Sequence, residues 1–66
     1  MNIYLNGQAR EIPDACTIAD LLAQMQLESR TVAVEVNRMV VPRAQHGQHV
    51  LHEGDRLEIV TLVGGG

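Results

Sequence analysis

Met1-Asn2-Ile3-Tyr4-Leu5-Asn6-Gly7-Gln8-Ala9-Arg10-Glu11-Ile12 opens the chain, with Asn6-Gly7 at its centre. A two-residue hairpin turn needs positive φ at both central positions to match the twist of its strands, and Asn-Gly supplies that at the least cost. The reading is a strand from Met1 to Leu5, with Ile3 and Leu5 on one face, and a return strand from Gln8 to Ile12. Pro13 and Asp14 then break the pairing, because proline has no N–H to give to a ladder.

Beyond the hairpin, Thr17-Ile18-Ala19-Asp20 has the form of a helix start: a hydroxyl to cap free amides and a carboxylate in the electropositive first turn. Ile18, Leu21, Leu22 and Met25 follow at i, i+3, i+4 and i+7, one stripe of a helix, with Asp20, Gln24 and Gln26 turned away. A helix of roughly ten residues is marginal alone in water, so this stripe must dock on a sheet. Val32, Val34 and Val36 alternate with Ala33, Glu35 and Asn37, which predicts a third strand. Asn37-Arg38 turns the chain into a short strand, Met39 to Val41, ended by Pro42. The stretch Arg43 to His49 reads as a loop with one helical turn, and Glu53-Gly54-Asp55 as a turn. Arg56 to Val63 is the longest strand, apolar on both faces, which predicts a central position with one end open to a partner. The order β-β-α-β-β-β gives an α+β fold in which a single main helix packs on one mixed sheet.

With 66 residues, 45% of them hydrophobic, the chain supports one small domain, whose core side chains are all needed to hold the fold. An autonomous enzyme with a substrate cavity is therefore not expected; a module that acts through its surface or an end is. The net charge of −3 repels phosphate backbones, and the cations Arg10, Arg30, Arg38, Arg43 and Arg56 are scattered, so nucleic acid is not an expected partner. Without lysine there is no side-chain amine for Schiff-base chemistry. One cysteine cannot form an internal disulfide, and no apolar run is long enough for a signal segment or a membrane span. A cytoplasmic, reducing address and a monomer when free are the expectation.

The sequence ends in Gly64-Gly65-Gly66, directly after the long strand. Glycine lacks a Cβ, so an extended glycine tail threads a channel too narrow for other residues and presents an unhindered carboxylate. A carboxylate is a poor electrophile until adenylyl transfer from ATP makes it a mixed anhydride; a sulfur nucleophile then displaces AMP and leaves a thiocarboxylate. The plainer reading is a glycine-rich terminus without purpose.

Asn6-Gly7, Thr17-Ile18-Ala19-Asp20-Leu21-Leu22, Ala33-Val34-Glu35-Val36-Asn37, Val40-Val41-Pro42-Arg43, Glu53-Gly54-Asp55 with Leu57 and Ile59, and the terminal glycines together resemble the bacterial thiamine-pathway sulfur carrier family (ThiS-like). The resemblance runs from Met1 to Gly66. It implies a ubiquitin-like β-grasp fold whose Gly66 carboxylate is adenylated by an E1-like, ATP-dependent adenylyltransferase, with Gly64, Gly65 and Gly66 entering the partners' active sites. It further implies a sulfur-donating protein, delivery of sulfur to thiazole synthase, and no cofactor bound by the carrier itself, ATP being used by the activating partner. The molybdopterin-pathway carrier shares fold and tail chemistry; the length and the Val40-Val41-Pro42-Arg43 segment favour the thiamine pathway. A β-grasp interaction module with an idle tail is the alternative from another class. The family often carries an aromatic residue where this chain has His46, which puts a partner contact at that position in question, and Gly64 stands where other small residues are usual.

Four further features invite chemistry. His46, His49 and His52 recur every third residue, but no further ligand stands at a zinc spacing, so no metal site is expected and solvated or loop-packing rings are. Cys16 precedes the helix start, where amide dipoles could activate a thiol; a small apolar residue stapled against Leu21 is the preferred reading. Arg43 could meet a partner's carboxylate or phosphate, against the preferred reading of a solvated arginine. Tyr4, Val60 and Leu62 form either a partner-docking apolar patch beside the tail or ordinary sheet surface.

Overall fold

Asn6 and Gly7 take φ of 50° and 85° in the computed structural model, which describes residues 1–62, and fold β1 (Asn2–Leu5) back on β2 (Gln8–Glu11). The antiparallel register pairs Leu5 with Gln8 and Asn2 with Glu11. Ile12 lies one residue beyond the strand, yet its N–H still reaches the Met1 carbonyl at 2.8 Å.

The helix α1 (Ile18–Gln24) starts at the expected residue and is tied down at both ends. Thr17 Oγ1 accepts from the Asp20 N–H while the Asp20 carboxylate accepts from the Thr17 N–H, both at 3.1 Å, a reciprocal capping box. At the other end Gln26 sits at φ 60°. The Leu27 N–H bonds to the Leu22 carbonyl and the Gln26 N–H to the Ala23 carbonyl, a Schellman closure. The helix therefore has seven residues instead of the roughly ten its periodicity predicts. Met25 and Leu27 still pack on the core from beyond its end.

After a 3₁₀ turn at Ser29–Thr31, β3 (Val32–Val36) buries its three valines and turns at Asn37 and Arg38, with φ of 51° and 70°, into β4 (Met39–Val40). A second 3₁₀ turn, Arg43–Gln45, follows Pro42 in the stretch read as a loop with one helical turn. The last strand, β5 (Arg56–Thr61), stops short of the expected Val63, which lies outside the described residues, as do Gly64, Gly65 and Gly66.

Among the described residues the strands form one five-stranded sheet in the order β2-β1-β5-β3-β4. β5 runs parallel to β1 and antiparallel to β3, so the sheet is mixed and its last strand is central. The faces of β1, β3 and β5 that carry Ile3, Leu5, Val32, Val34, Val36, Leu57 and Ile59 close over Ile18, Leu21 and Leu22 of α1, with Ile12, Cys16, Val41 and Leu51 at the margins. Each such aliphatic side chain contributes on the order of 1.5–3 kcal/mol by leaving water. No helix among the described residues is long and apolar enough to cross a membrane.

Candidate functional site: the end of β5 and the sheet face beside it

β5 leads directly toward the glycine tail, and two devices fix its last residues. On one side the Leu62 N–H continues the β3–β5 ladder to the Thr31 carbonyl at 2.9 Å. On the other, β1 has already turned away, and the Asn6 side chain takes its place: Oδ1 accepts from the Ile59 N–H at 2.9 Å and Nδ2 donates to the Ile59 carbonyl at 3.3 Å. Asn6 thus serves both the hairpin turn and the parallel ladder, a double duty that the Asn-Gly signal alone does not reveal.

The alternation that buries Leu57 and Ile59 sends Arg56, Glu58 and Val60 to the opposite, solvent face, and Leu62 follows on the same side. Tyr4, Ala33 and Glu35 occupy that face on the neighbouring strands. Val60 and Leu62 are 58% and 50% exposed and adjoin the tail; Tyr4 is 38% exposed and stands at the far end, opposite Arg56. Four residues of β5 separate the two, roughly 13 Å, so Tyr4 shares the face of Val60 and Leu62 but not one patch with them. The Arg56 guanidinium lies over the Tyr4 ring, 4.7 Å from its centroid. Between these ends Glu35 and Glu58 are paired directly across β3 and β5. Tyr4, Glu35, Arg38, Arg56 and Glu58 border an open groove on this face, a surface feature rather than an enclosed substrate cavity.

The other sequence candidates are absorbed by the fold. Cys16 is buried, and its thiol is pushed above the usual range, first by burial and then by the nearby Asp20 carboxylate. The helix amides that might have activated it are taken: Ile18 N–H by the His49 carbonyl, Ala19 N–H by the His46 carbonyl, Asp20 N–H by Thr17 Oγ1. The preferred reading, a buried packing residue ahead of the helix, holds, and the activated-thiol alternative does not.

His46 is 2% exposed, so the contact a partner would make there is ruled out by burial, and of the solvated and loop-packing alternatives the packed one holds for this ring. Its Nε2 lies 3.1 Å from the Val41 carbonyl, which can only accept, so Nε2 carries the proton of the neutral ring; Nδ1, 2.8 Å from Ser29 Oγ, then accepts from that hydroxyl. His49 is half-buried and His52 exposed, and among the described residues no three His, Cys, Asp or Glu side chains gather as a metal site requires. Arg43 is exposed on its 3₁₀ turn and joins no ion pair among the described residues.

With this geometry in view, comparison with known families is decisive: the sequence profile of the ThiS family matches residues 3–66. The chain belongs to the ThiS family. It is 40% identical over 65 residues to the sulfur carrier protein ThiS of Bacillus subtilis, covering 97% of this chain and 98% of that one. A crystal structure of a ThiS thiamine biosynthesis protein from Geobacter metallireducens superposes with a TM-score of 0.82 at 28% identity over the whole of both chains. The chain is also 39% identical over all its 66 residues to a thiazole synthase of Paramagnetospirillum magneticum, of which it spans only 20%. The ThiS family match and the superposition bear out the β-grasp expectation and the thiamine-pathway resemblance.

Proposed function

We propose that this chain is a sulfur carrier of thiamine biosynthesis that works through the carboxylate of Gly66. The observation that carries the reading is the family match through residue 66, which takes in the glycine tail that β5 leads into. An E1-like adenylyltransferase would supply ATP binding and transfer AMP to the carboxylate, releasing pyrophosphate. A sulfide-level sulfur nucleophile supplied by a donor protein would then attack the anhydride's acyl carbon, forming the C–S bond as the C–O bond to AMP breaks, and the thiocarboxylate would carry the sulfur to thiazole synthase. On this reading the carrier is itself a substrate of these steps, and ATP is used by the activating partner. A ThiS-like stretch within thiazole synthase relatives supports that enzyme as a partner. A cytoplasmic monomer, tail threaded through partner channels in turn, completes the reading.

Reconstitution of thiazole formation tests it. The carrier, the activating enzyme, a sulfur donor and thiazole synthase of the same cell are expected to yield product with the full chain and none with the chain lacking Gly66. Product formed at the same rate without Gly66 would leave an interaction module with an idle tail.

A further inference from the structure

Asn6-Gly7 combines a chemically reactive pair of neighbours with a structural task, the hold on β5. The backbone nitrogen of a glycine can attack the Cγ of a preceding asparagine, because glycine has no side chain to obstruct the approach. The new C–N bond forms as the bond from Cγ to the side-chain nitrogen breaks. The Gly7 amide proton leaves with that nitrogen as ammonia, and a cyclic imide remains. Water then opens the imide at one of its two carbonyls, giving either aspartate or isoaspartate, the latter with one extra carbon in the main chain. Water is the only co-reactant. Asn6 and Gly7 are both exposed, and the place a Cβ of residue 7 would occupy has no atom within 4 Å, so the ring and the water have room. Asn2 and Asn37 precede Ile3 and Arg38, whose side chains obstruct the same attack.

We infer that Asn6 is a deamidation site gated by the fold, and that its modification releases the end of β5. In the folded chain Oδ1 accepts from the Ile59 N–H at 2.9 Å, Nδ2 donates to the Ile59 carbonyl at 3.3 Å, and the Asn6 N–H donates to the Leu57 carbonyl at 2.9 Å. The attack needs rotation of Asn6 about its backbone and its Cα–Cβ bond, which these three bonds and the two-residue turn resist. The reaction therefore proceeds from a locally opened hairpin. Either product weakens the structure that held it back. An aspartate at position 6 still accepts from the Ile59 N–H but has no donor for the Ile59 carbonyl, which then faces a carboxylate oxygen. An isoaspartate lengthens a two-residue turn whose size sets the register of Leu5 against Gln8. The damage falls on the strand that leads to the glycine tail, on the side where Asn6 stands in for β1. The inference is independent of the carrier reading, and its failure would leave that reading intact.

Incubation of the full chain at mildly alkaline pH, in buffer and in guanidinium chloride, tests the inference, with intact mass and peptide mapping as the readout. Conversion of amide to acid at Asn6 is expected in the denaturant, and at least about tenfold more slowly in buffer. The modified chain, separated by its additional negative charge, and the variant Asn6→Asp are both expected to melt below the parent. Hydrogen exchange of the Ile59 amide is expected to quicken in both. Rates in buffer and in denaturant within about twofold of each other would overturn the gate. Conversion at Asn2 or Asn37 ahead of Asn6 would overturn the site. An Asn6→Asp chain that melts with the parent and exchanges its Ile59 amide no faster would overturn the consequence for β5.

Discussion

His46 shows how a polar residue is accommodated in an otherwise aliphatic core. Its ring ties the carbonyl of Val41, past the end of β4, to the hydroxyl of Ser29 in the first 3₁₀ turn, while its own carbonyl receives the second helix amide. Three segments therefore meet on one residue, two on its ring and one on its carbonyl. In urea unfolding, His46→Phe keeps an aromatic ring, though a larger one, but strands the Val41 carbonyl, and is expected to cost about 1–3 kcal/mol. His46→Ala adds a cavity and is expected to cost more, about 3–5 kcal/mol. Equal costs for the two would mean that ring packing contributes nothing. The histidine spacing gave no hint of this placement, because burial at an irregular segment has no period to read; a solvated ring and a core ring look alike in sequence. Cys16 lies on the legible side: its position just ahead of a capped helix pointed to packing, and burial keeps its thiol neutral.

At the scale of the element, α1 separates what sequence patterns convey from what they omit. Its start was readable because Thr17 and Asp20 stand at capping-box spacing, and the box forms. Its end was not, because the left-handed residue that closes it is Gln26, whereas the recognisable stop signal is glycine. Gln26→Gly removes a side chain from an unfavourable φ, and is expected to raise the unfolding free energy by about 0.5–1 kcal/mol, read by thermal or urea melting. A loss of stability would show that the Gln26 side chain itself holds the turn. The strands were more transparent than the helix, since an alternation of period two in Val32–Val36 fixes which face is buried. The Arg56–Val63 segment was legible as central. Its apolar residues on both faces predicted a central position, which pairing with β1 and β3 bears out, while Val60 and Leu62 on the outer face are exposed.

For the molecule as a whole, the sheet order places the last strand in the middle, so β5 ends between two neighbouring strands rather than at a sheet edge. A central strand clamped by Asn6 on one side and by Thr31 on the other gives the tail a fixed point of departure. That is what a carrier needs if a partner is to dock on the rigid face and receive the glycines in a constant geometry. Of the proposed site, the sequence offers three glycines following the longest strand, and these lie outside the described residues. The pairing of Glu35 with Glu58 was not legible, because it depends on the β3–β5 register, which no local pattern contains. The most direct test of the carrier chemistry is the intact mass of the chain after incubation with ATP, the activating enzyme and a sulfur source. A gain equal to one oxygen replaced by sulfur, abolished when Gly66 is removed, is the predicted result. An unchanged mass, with an enzyme proven active on another carrier, would contradict it.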